Sequence, residues 1–240
     1  MRLVVDNLNA FYGRAQVLFD VTLEAGSHEV LALIGRNGAG KSTTFKSIVG
    51  LVASRRGRID FNHNINFDPI DISCLPVHRI VEMGLGYVPE DRRIFTDLTV
   101  EENLDVGTQL PRDGVPHWTK ERLYELFPNL AEMRKRPAGR MSGGEQQMLT
   151  IARSLMGNPS LIMLDEPSEG LAPKIVEDMA YAILAMKKEG LAVMISEQNL
   201  HFAKMISNRA YIIEKGRICY EGSMADLAAN DEIRNKYLAV

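Results

Sequence analysis

The stretch Gly35-Arg36-Asn37-Gly38-Ala39-Gly40-Lys41-Ser42 decides how this chain is read. It fits G-x-x-x-x-G-K-[ST], a loop that cradles phosphates. The apolar run Val30-Leu31-Ala32-Leu33-Ile34 precedes it and predicts a buried strand. Phe45, Ile48, Val49 and Val52 follow at three- and four-residue steps and predict a helix. Glycines let backbone N–H groups approach an anion, and the helix N-terminus adds positive potential. In that setting Lys41 reaches the β- and γ-phosphates and Ser42 ligates Mg²⁺. The loop implies a nucleotide and says nothing about its use.

Working outward, a second group supports the first. Leu161-Ile162-Met163-Leu164 predicts a buried strand that ends in Asp165-Glu166. Strand C-termini are where ligands sit in open α/β sheets, so Asp165 is a candidate for Mg²⁺. Glu166 is expected on the other side of the strand, where it orients or deprotonates an attacking water. Ser142-Gly143-Gly144 opens a helix whose apolar face is Met148, Leu149, Ile151, Ala152, Leu155 and Met156. A serine and two glycines at a helix start form a second anion site. Two such sites imply two nucleotides, or one nucleotide shared between subunits.

The remaining chain gives the frame. Leu3-Val4-Val5, Val17-Leu18-Phe19 and Val21-Thr22-Leu23 predict short strands with turns at Gly13 and Gly26, an antiparallel β region leading into the phosphate loop. Tyr12 lies on the turn side, as a packing tyrosine or as an aromatic plate for a base. Arg55-Arg56-Gly57-Arg58 is expected in a solvated turn, and Arg58 to Phe61 as a strand. The Asn-rich residues 62–69 predict a loop; His63 and Asp68 read there as loop residues rather than metal ligands. A helix from Pro76 to Met83 stops at Gly84, and a strand follows from Leu85 to Val88. Residues 91–140 change character. A Thr99-capped helix, a second helix over 119–126, and prolines at 111, 116, 128 and 137 predict an inserted helical subdomain. Downstream come a helix from Pro173 to about Gly190, a strand from Leu191 to Ile195, a hairpin turning at Lys215-Gly216, and one final helix from Met224 to Leu238. Strand–helix alternation around the loop predicts an α/β fold with a mostly parallel core sheet.

Composition sets bounds. The 240 residues are 45% apolar and 25% charged, with net charge −3, ordinary for a soluble globular chain. The weakly acidic balance gives no push toward nucleic acid. Cys74 and Cys219 lie far apart without metal-ligand spacing and read as buried or incidental thiols of a reducing compartment. No run of 18 apolar residues and no signal-peptide pattern is present, so membrane contact is expected through a partner.

The strings GRNGAGKST (Gly35 to Thr43), MSGGEQQ (from Met141) and LIMLDE (to Glu166) stand in the order found in ATP-binding subunits of ABC transporters, and nearly the whole chain resembles that family. The shorter strings VPEDRRIF, LTVEENL, DEPSEGLAP and SEQN are most similar to branched-chain amino acid importer ATPases of the LivF type. The resemblance implies a P-loop NTPase fold over residues 1–240, with 1–90 and 141–240 as the nucleotide-binding core and 91–140 as the helical subdomain. It implies ATP and Mg²⁺ as cofactors. The whole string Gly35, Arg36, Asn37, Gly38, Ala39, Gly40, Lys41, Ser42 and Thr43 would hold the phosphates, with Ser42, Asp165 and Glu90 at the metal. Tyr12 matches the adenine-stacking position, and Glu166 the catalytic glutamate. Ser142, Gly143 and Gly144 would close on the nucleotide of an opposing subunit. Expected partners are a second ATPase subunit (a heterodimer, with a homodimer as the alternative), membrane permease subunits and, indirectly, a solute-binding protein. The expected location is peripheral, on the cytoplasmic face of a bacterial inner membrane. Permease coupling is expected near Glu90, with Arg92, Arg93 and Phe95 at the groove.

Departures sharpen the picture. Met141 and Glu145 alter the usual LSGGQ. Glu90 replaces a glutamine, Gln198 a switch histidine, and Leu171-Ala172-Pro173 lacks the usual aspartate. The LivF type is similar at 90 and 198. Gln198, treated as a catalytic position, predicts a weakened hydrolysis site working beside a histidine-bearing subunit. An exporter ATPase of the lipopolysaccharide-extraction type is the alternative closest in length and order, but is expected to carry that histidine. A soluble ABC regulator is expected to fuse two modules or insert a coiled coil, and a kinase has no use for SGGEQQ. The transported substrate is chosen by other subunits.

Overall fold

The computed structural model describes residues 1–64 and 66–237. Ile65 of the predicted loop and Leu238 of the predicted last helix lie outside the described residues.

The N-terminal third forms β1 (Arg2–Tyr12), β2 (Ala15–Gly26), β3 (Val30–Ile34), α1 (Lys41–Ile48), β4 (Ser54–Asn62) and β5 (Ile70–Asp71). The strands expected as short pieces are two long ones of 11 and 12 residues. Bulges divide them. Asn7 and Asp20 take left-handed backbone, with φ of 50° and 52°, and the pairing register shifts beside them. The inward set therefore resets from Leu3 and Val5 to Leu8 and Ala10, which makes one strand read as two fragments. The arginine cluster lies within β4 rather than in a turn. Arg55, Arg56 and Arg58 pair with Ala10, Asn9 and Asp6 of β1. Gly57 supplies the bend, since a Cβ there would meet the Asn7 carbonyl oxygen at 2.5 Å. Together β2-β1-β4-β5 make an antiparallel sheet.

The chain continues through α2 (Val77–Glu82), β6 (Leu85–Val88), α3 (Val100–Gly107), α4 (Lys120–Leu126), α5 (Pro128–Glu132), α6 (Gly143–Leu155), β7 (Leu161–Asp165), α7 (Pro173–Lys188) and β8 (Ala192–Glu197). It ends with α8 (Leu200–Ile206), β9 (Arg209–Glu214), β10 (Arg217–Ser223), α9 (Met224–Ala229) and α10 (Asp231–Tyr237). The main sheet has the order β10-β9-β3-β8-β7-β6, parallel except for the β9-β10 hairpin. The last helix is broken. Asn230 leaves helical geometry, and its side chain accepts from the Ile233 N–H at 3.0 Å, capping α10.

Both faces of the main sheet are covered, which is why its strands are continuous apolar runs. Val30, Ala32 and Ile34 join one core with Ile162, Leu164, Val193 and Ile195, packed by α6, α7 and α8. Leu31 and Leu33 join the other with Met163, Met194, α1 and the antiparallel sheet. Residues 91–140 contribute α3, α4 and α5 and, apart from the single bridge Thr99–Pro137, no described β pairing. Val100, Leu104, Leu123, Phe127 and Leu130 from this segment pool with Met148, Leu149 and Ile183 of α6 and α7 in one core. Among the described residues no helix is long and apolar enough to cross a membrane. Cys74 and Cys219 are both exposed, so neither is a buried thiol.

Candidate nucleotide site

Parallel register brings three strand ends to one edge. Ile34 pairs with Glu197, and Asp165 pairs with Ser196. The loop after β3, the acidic pair after β7 and the Ser196-Glu197 pair therefore share the carboxyl edge of the sheet.

The phosphate loop is tightly fixed. A Cβ at Gly35 would meet the Ile213 carbonyl oxygen at 2.5 Å. Gly40 has φ of 113° and caps α1 without a side-chain bond. Arg36, Asn37 and Gly38 form the exposed crest, while Ala39, Gly40 and Lys41 are buried and Ser42 and Thr43 half-buried. The Lys41 ammonium donates to the carbonyls of Gly35 at 2.8 Å and Arg36 at 3.2 Å. It also pairs with the Glu166 carboxylate at 3.0 Å. Those three contacts occupy its three donors.

Asp165 is fully buried and accepts from three hydroxyls. Ser42 and Ser196 donate to Oδ1 at 2.9 Å and 2.6 Å, and Tyr87 donates to Oδ2 at 3.0 Å. Burial, and then the Asp165 charge, raise the Tyr87 pKa well above the usual tyrosine range, so its hydroxyl keeps its proton and donates. Glu166 is not governed by strand alternation, contrary to expectation. It lies one residue past β7 in left-handed backbone, φ 47°, which turns its carboxylate back to Lys41. Its N–H donates to the Ser196 carbonyl and hydroxyl at 3.1 and 3.0 Å. Glu197 braces the edge by accepting from the N–H groups of Ser168 and Asn199; burial raises its pKa against those two bonds. Tyr87, Ser196 and Glu197 were not singled out from sequence. Their signal was a polar side chain at the end of an apolar strand beside a ligand edge.

The hard oxygens of Ser42 and Asp165 fit Mg²⁺. No described cluster of three His, Cys, Asp or Glu has metal-cage geometry, His63 and Asp68 included. None is needed, because Mg²⁺ uses one or two carboxylates with substrate phosphates and water. Glu90 and Gln198 are exposed just past β6 and β8, and Tyr12 is 51% exposed at the end of β1.

Ser142, Gly143 and Gly144 stand apart from this cluster. Ser142 is exposed and makes a capping box with Glu145: its N–H donates to the Glu145 carboxylate at 2.7 Å, and its hydroxyl accepts from the Glu145 N–H at 3.4 Å. A Cβ on Gly143 would lie 2.7 Å from an Arg92 guanidinium nitrogen, and one on Gly144 2.7 Å from Ile175 Cγ2. Gly144 is thus held to glycine by Ile175 of α7, whereas at Gly143 a Cβ would only displace the tip of the Arg92 side chain. The loop carrying Arg92 and Arg93 is fixed to the same helix. Thr150 Oγ1 donates to the Arg92 carbonyl at 2.8 Å, and Arg153 donates to the Arg93 carbonyl at 2.7 Å.

A buried lysine and a half-buried serine at a glycine loop, an aspartate held by three hydroxyls, and a separate serine-glycine helix start form one pattern, and the ABC transporter family model matches residues 18–169. The chain belongs to the ABC transporter ATPase family. It is 40% identical to the high-affinity branched-chain amino acid transport ATP-binding protein BraG of Pseudomonas aeruginosa, over 97% of each chain. It is 36% identical to the lipopolysaccharide export ATP-binding protein LptB of Haemophilus influenzae, covering 98% of this chain and 96% of that one. It is 34% identical to a probable branched-chain amino acid transport protein LivF of Archaeoglobus fulgidus, over 97% of each. Two solved ATP-binding cassettes, one nucleotide-free and one in its ADP conformation, superpose with TM-scores of 0.80 and 0.79 at 25% identity, each over 97% of both chains. This ABC ATPase is accordingly an ATP-hydrolysing transport subunit with the family's fold, and its nucleotide is ATP.

Proposed function

We propose that this ABC ATPase powers an importer of branched-chain amino acids or a related small amide or amino acid. The observation that carries the reading is the 40% identity to BraG along almost the full length of both chains. A second reading, an exporter of lipid or lipopolysaccharide, draws on the similarity to LptB. Uptake of labelled leucine, isoleucine and valine into proteoliposomes holding this chain and its permeases separates the two. ATP-dependent uptake is expected. Its absence for all three, together with extraction of lipopolysaccharide from the same vesicles, overturns the importer.

In this reading Lys41 exchanges Glu166 for the β- and γ-phosphates, while the backbone N–H groups of residues 35–43 cradle them. Mg²⁺, when bound, would neutralise phosphate charge, and Ser42, Asp165 and Glu90 would hold it. Glu166, released from Lys41, takes a proton from the attacking water. Tyr12 stacks on adenine. Ser142, Gly143 and Gly144 meet the ATP of an opposing ATPase subunit. Gln198, without an ionisable ring, holds the γ-phosphate less firmly than a histidine, so a heterodimer with a histidine-bearing subunit suits this chain. The working site is the cytoplasmic face of a bacterial inner membrane, with permeases as direct partners, a solute-binding protein as an indirect one, and no nucleic acid. Residues 91–140 act as the helical subdomain. Two adjoining hollows of about 400 and 410 Å³, sharing Tyr87 and Arg153, suit the permease. Glu90 and Arg93 line the first and Phe95 the second, in support of coupling there.

A further inference from the structure

β7 is flanked on both sides, by β8 and by the edge strand β6. Tyr87 of β6 pairs with Met163 of β7, and both pack into the core shared with α1. Asp165 lies two residues beyond Met163 and so points to that same face. There its carboxylate meets Ser42 of α1. On the other flank Asp165 pairs with Ser196 of β8. The carboxylate is therefore gripped from three elements, α1, β6 and β8.

The grip is uneven. Ser42 and Ser196 both donate to Oδ1, at 2.9 and 2.6 Å. Among the described residues Tyr87 is the one donor to Oδ2, at 3.0 Å. The last torsion of an aspartate is broad, so bonds to one oxygen leave the other free to swing. A bond to the second oxygen fixes the plane of the carboxylate. A phenol ionises near pH 10, so at neutral pH it is a donor. The Tyr87 ring is packed against the core, which delivers that donor from a fixed base.

We propose that Tyr87 is a positioning residue for Mg²⁺: its hydroxyl fixes the plane of the Asp165 carboxylate and so sets how firmly this chain holds the metal. The inference rests on the reading of Asp165 as a metal ligand. Carboxylates that ligate metals are themselves hydrogen-bonded, and loss of such a partner costs about 10- to 100-fold in metal affinity. Tyr87 acts here through Asp165 alone. Its loss should therefore weaken the metal and spare the nucleotide.

The test is a titration of Mn²⁺ into the full-length protein, held in excess over a non-hydrolysable ATP analogue, with free Mn²⁺ read by electron paramagnetic resonance. Tyr87→Phe removes one oxygen and keeps the ring. It should weaken Mn²⁺ about 10-fold, the low end of the range for such a partner. Affinity for the analogue in EDTA should be unchanged. Tyr211→Phe is the control, since its hydroxyl on β9 donates to Glu221 at 2.9 Å and not to Asp165. It should lower the melting temperature and leave Mn²⁺ affinity alone. Wild-type Mn²⁺ affinity in Tyr87→Phe overturns the proposal. So does an equal loss in Tyr211→Phe, or an equal loss of analogue affinity in EDTA, because either marks a general loosening. Asp165→Asn separates the premise: it should lose more Mn²⁺ affinity than Tyr87→Phe, and if it binds Mn²⁺ as the wild type does, the metal assignment fails by itself.

Discussion

Two helices in this chain start on sequences read as anion sites, and they are finished differently. α1 is capped by Gly40 in left-handed backbone, with no side-chain bond and no acidic residue in its first turn. α6 is capped by Ser142, with a complete capping box and Glu145 in its first turn. A helix start has four backbone N–H groups without intrahelical partners. At α6 the Glu145 N–H is already satisfied by its own cap, and the Glu145 carboxylate offsets the helix dipole. At α1 the donors and the dipole are left for a ligand, beside the buried Lys41. The phosphate loop is therefore completed by binding, whereas the serine-glycine start is in part capped beforehand. An anion gains more at the first than at the second.

The contrast is broken most severely at Lys41. Lys41→Ala leaves the Glu166 carboxylate buried without its cation, which should cost about 3–5 kcal/mol, read by thermal or denaturant unfolding. It should also weaken ATP binding by about 10- to 100-fold, the worth of one charge-assisted contact, read by titration of a fluorescent ATP analogue. Gly144→Ala comes next. Its Cβ forces α6 away from Ile175 on α7, an overpacking cost of about 1–3 kcal/mol. Hydrolysis should fall while ATP affinity of the isolated chain holds. A parallel loss of affinity would mean that the two helix starts are not separate. Ser142→Ala is the mildest, removing a cap worth about 1 kcal/mol. Glu145→Gln keeps an oxygen acceptor for the Ser142 N–H and should be close to neutral in melting temperature. An unchanged melting point in Ser142→Ala would show that α6 does not depend on its cap, and the contrast would lose its basis.

The same physics explains what could be read in advance. Val30–Ile34 and Leu161–Asp165 were legible because burial on both faces writes an unbroken apolar run. β1 and β2 were legible only in pieces, because the Asn7 and Asp20 bulges restart their alternation. The break at Asn230 was missed because a cap inside an apparent helix looks like one more polar residue. In the site, Lys41, Ser42, Asp165 and Glu166 were legible through spacing within short strings. Tyr87 and Ser196 were not, since their meaning lies in a meeting with Asp165 across 78 and 31 residues of chain.

The loop behind the hollow beside Glu90 has a mechanical consequence. Arg92 and Arg93, both in left-handed backbone, are fastened by their carbonyls to Thr150 and Arg153 in the body of α6. The Arg153 guanidinium also lies over the Phe95 ring, 5.0 Å from its centre. The wall of the hollow is thus joined directly to the helix that presents Ser142. A load on the hollow would reach that helix through two hydrogen bonds and one stacked ring.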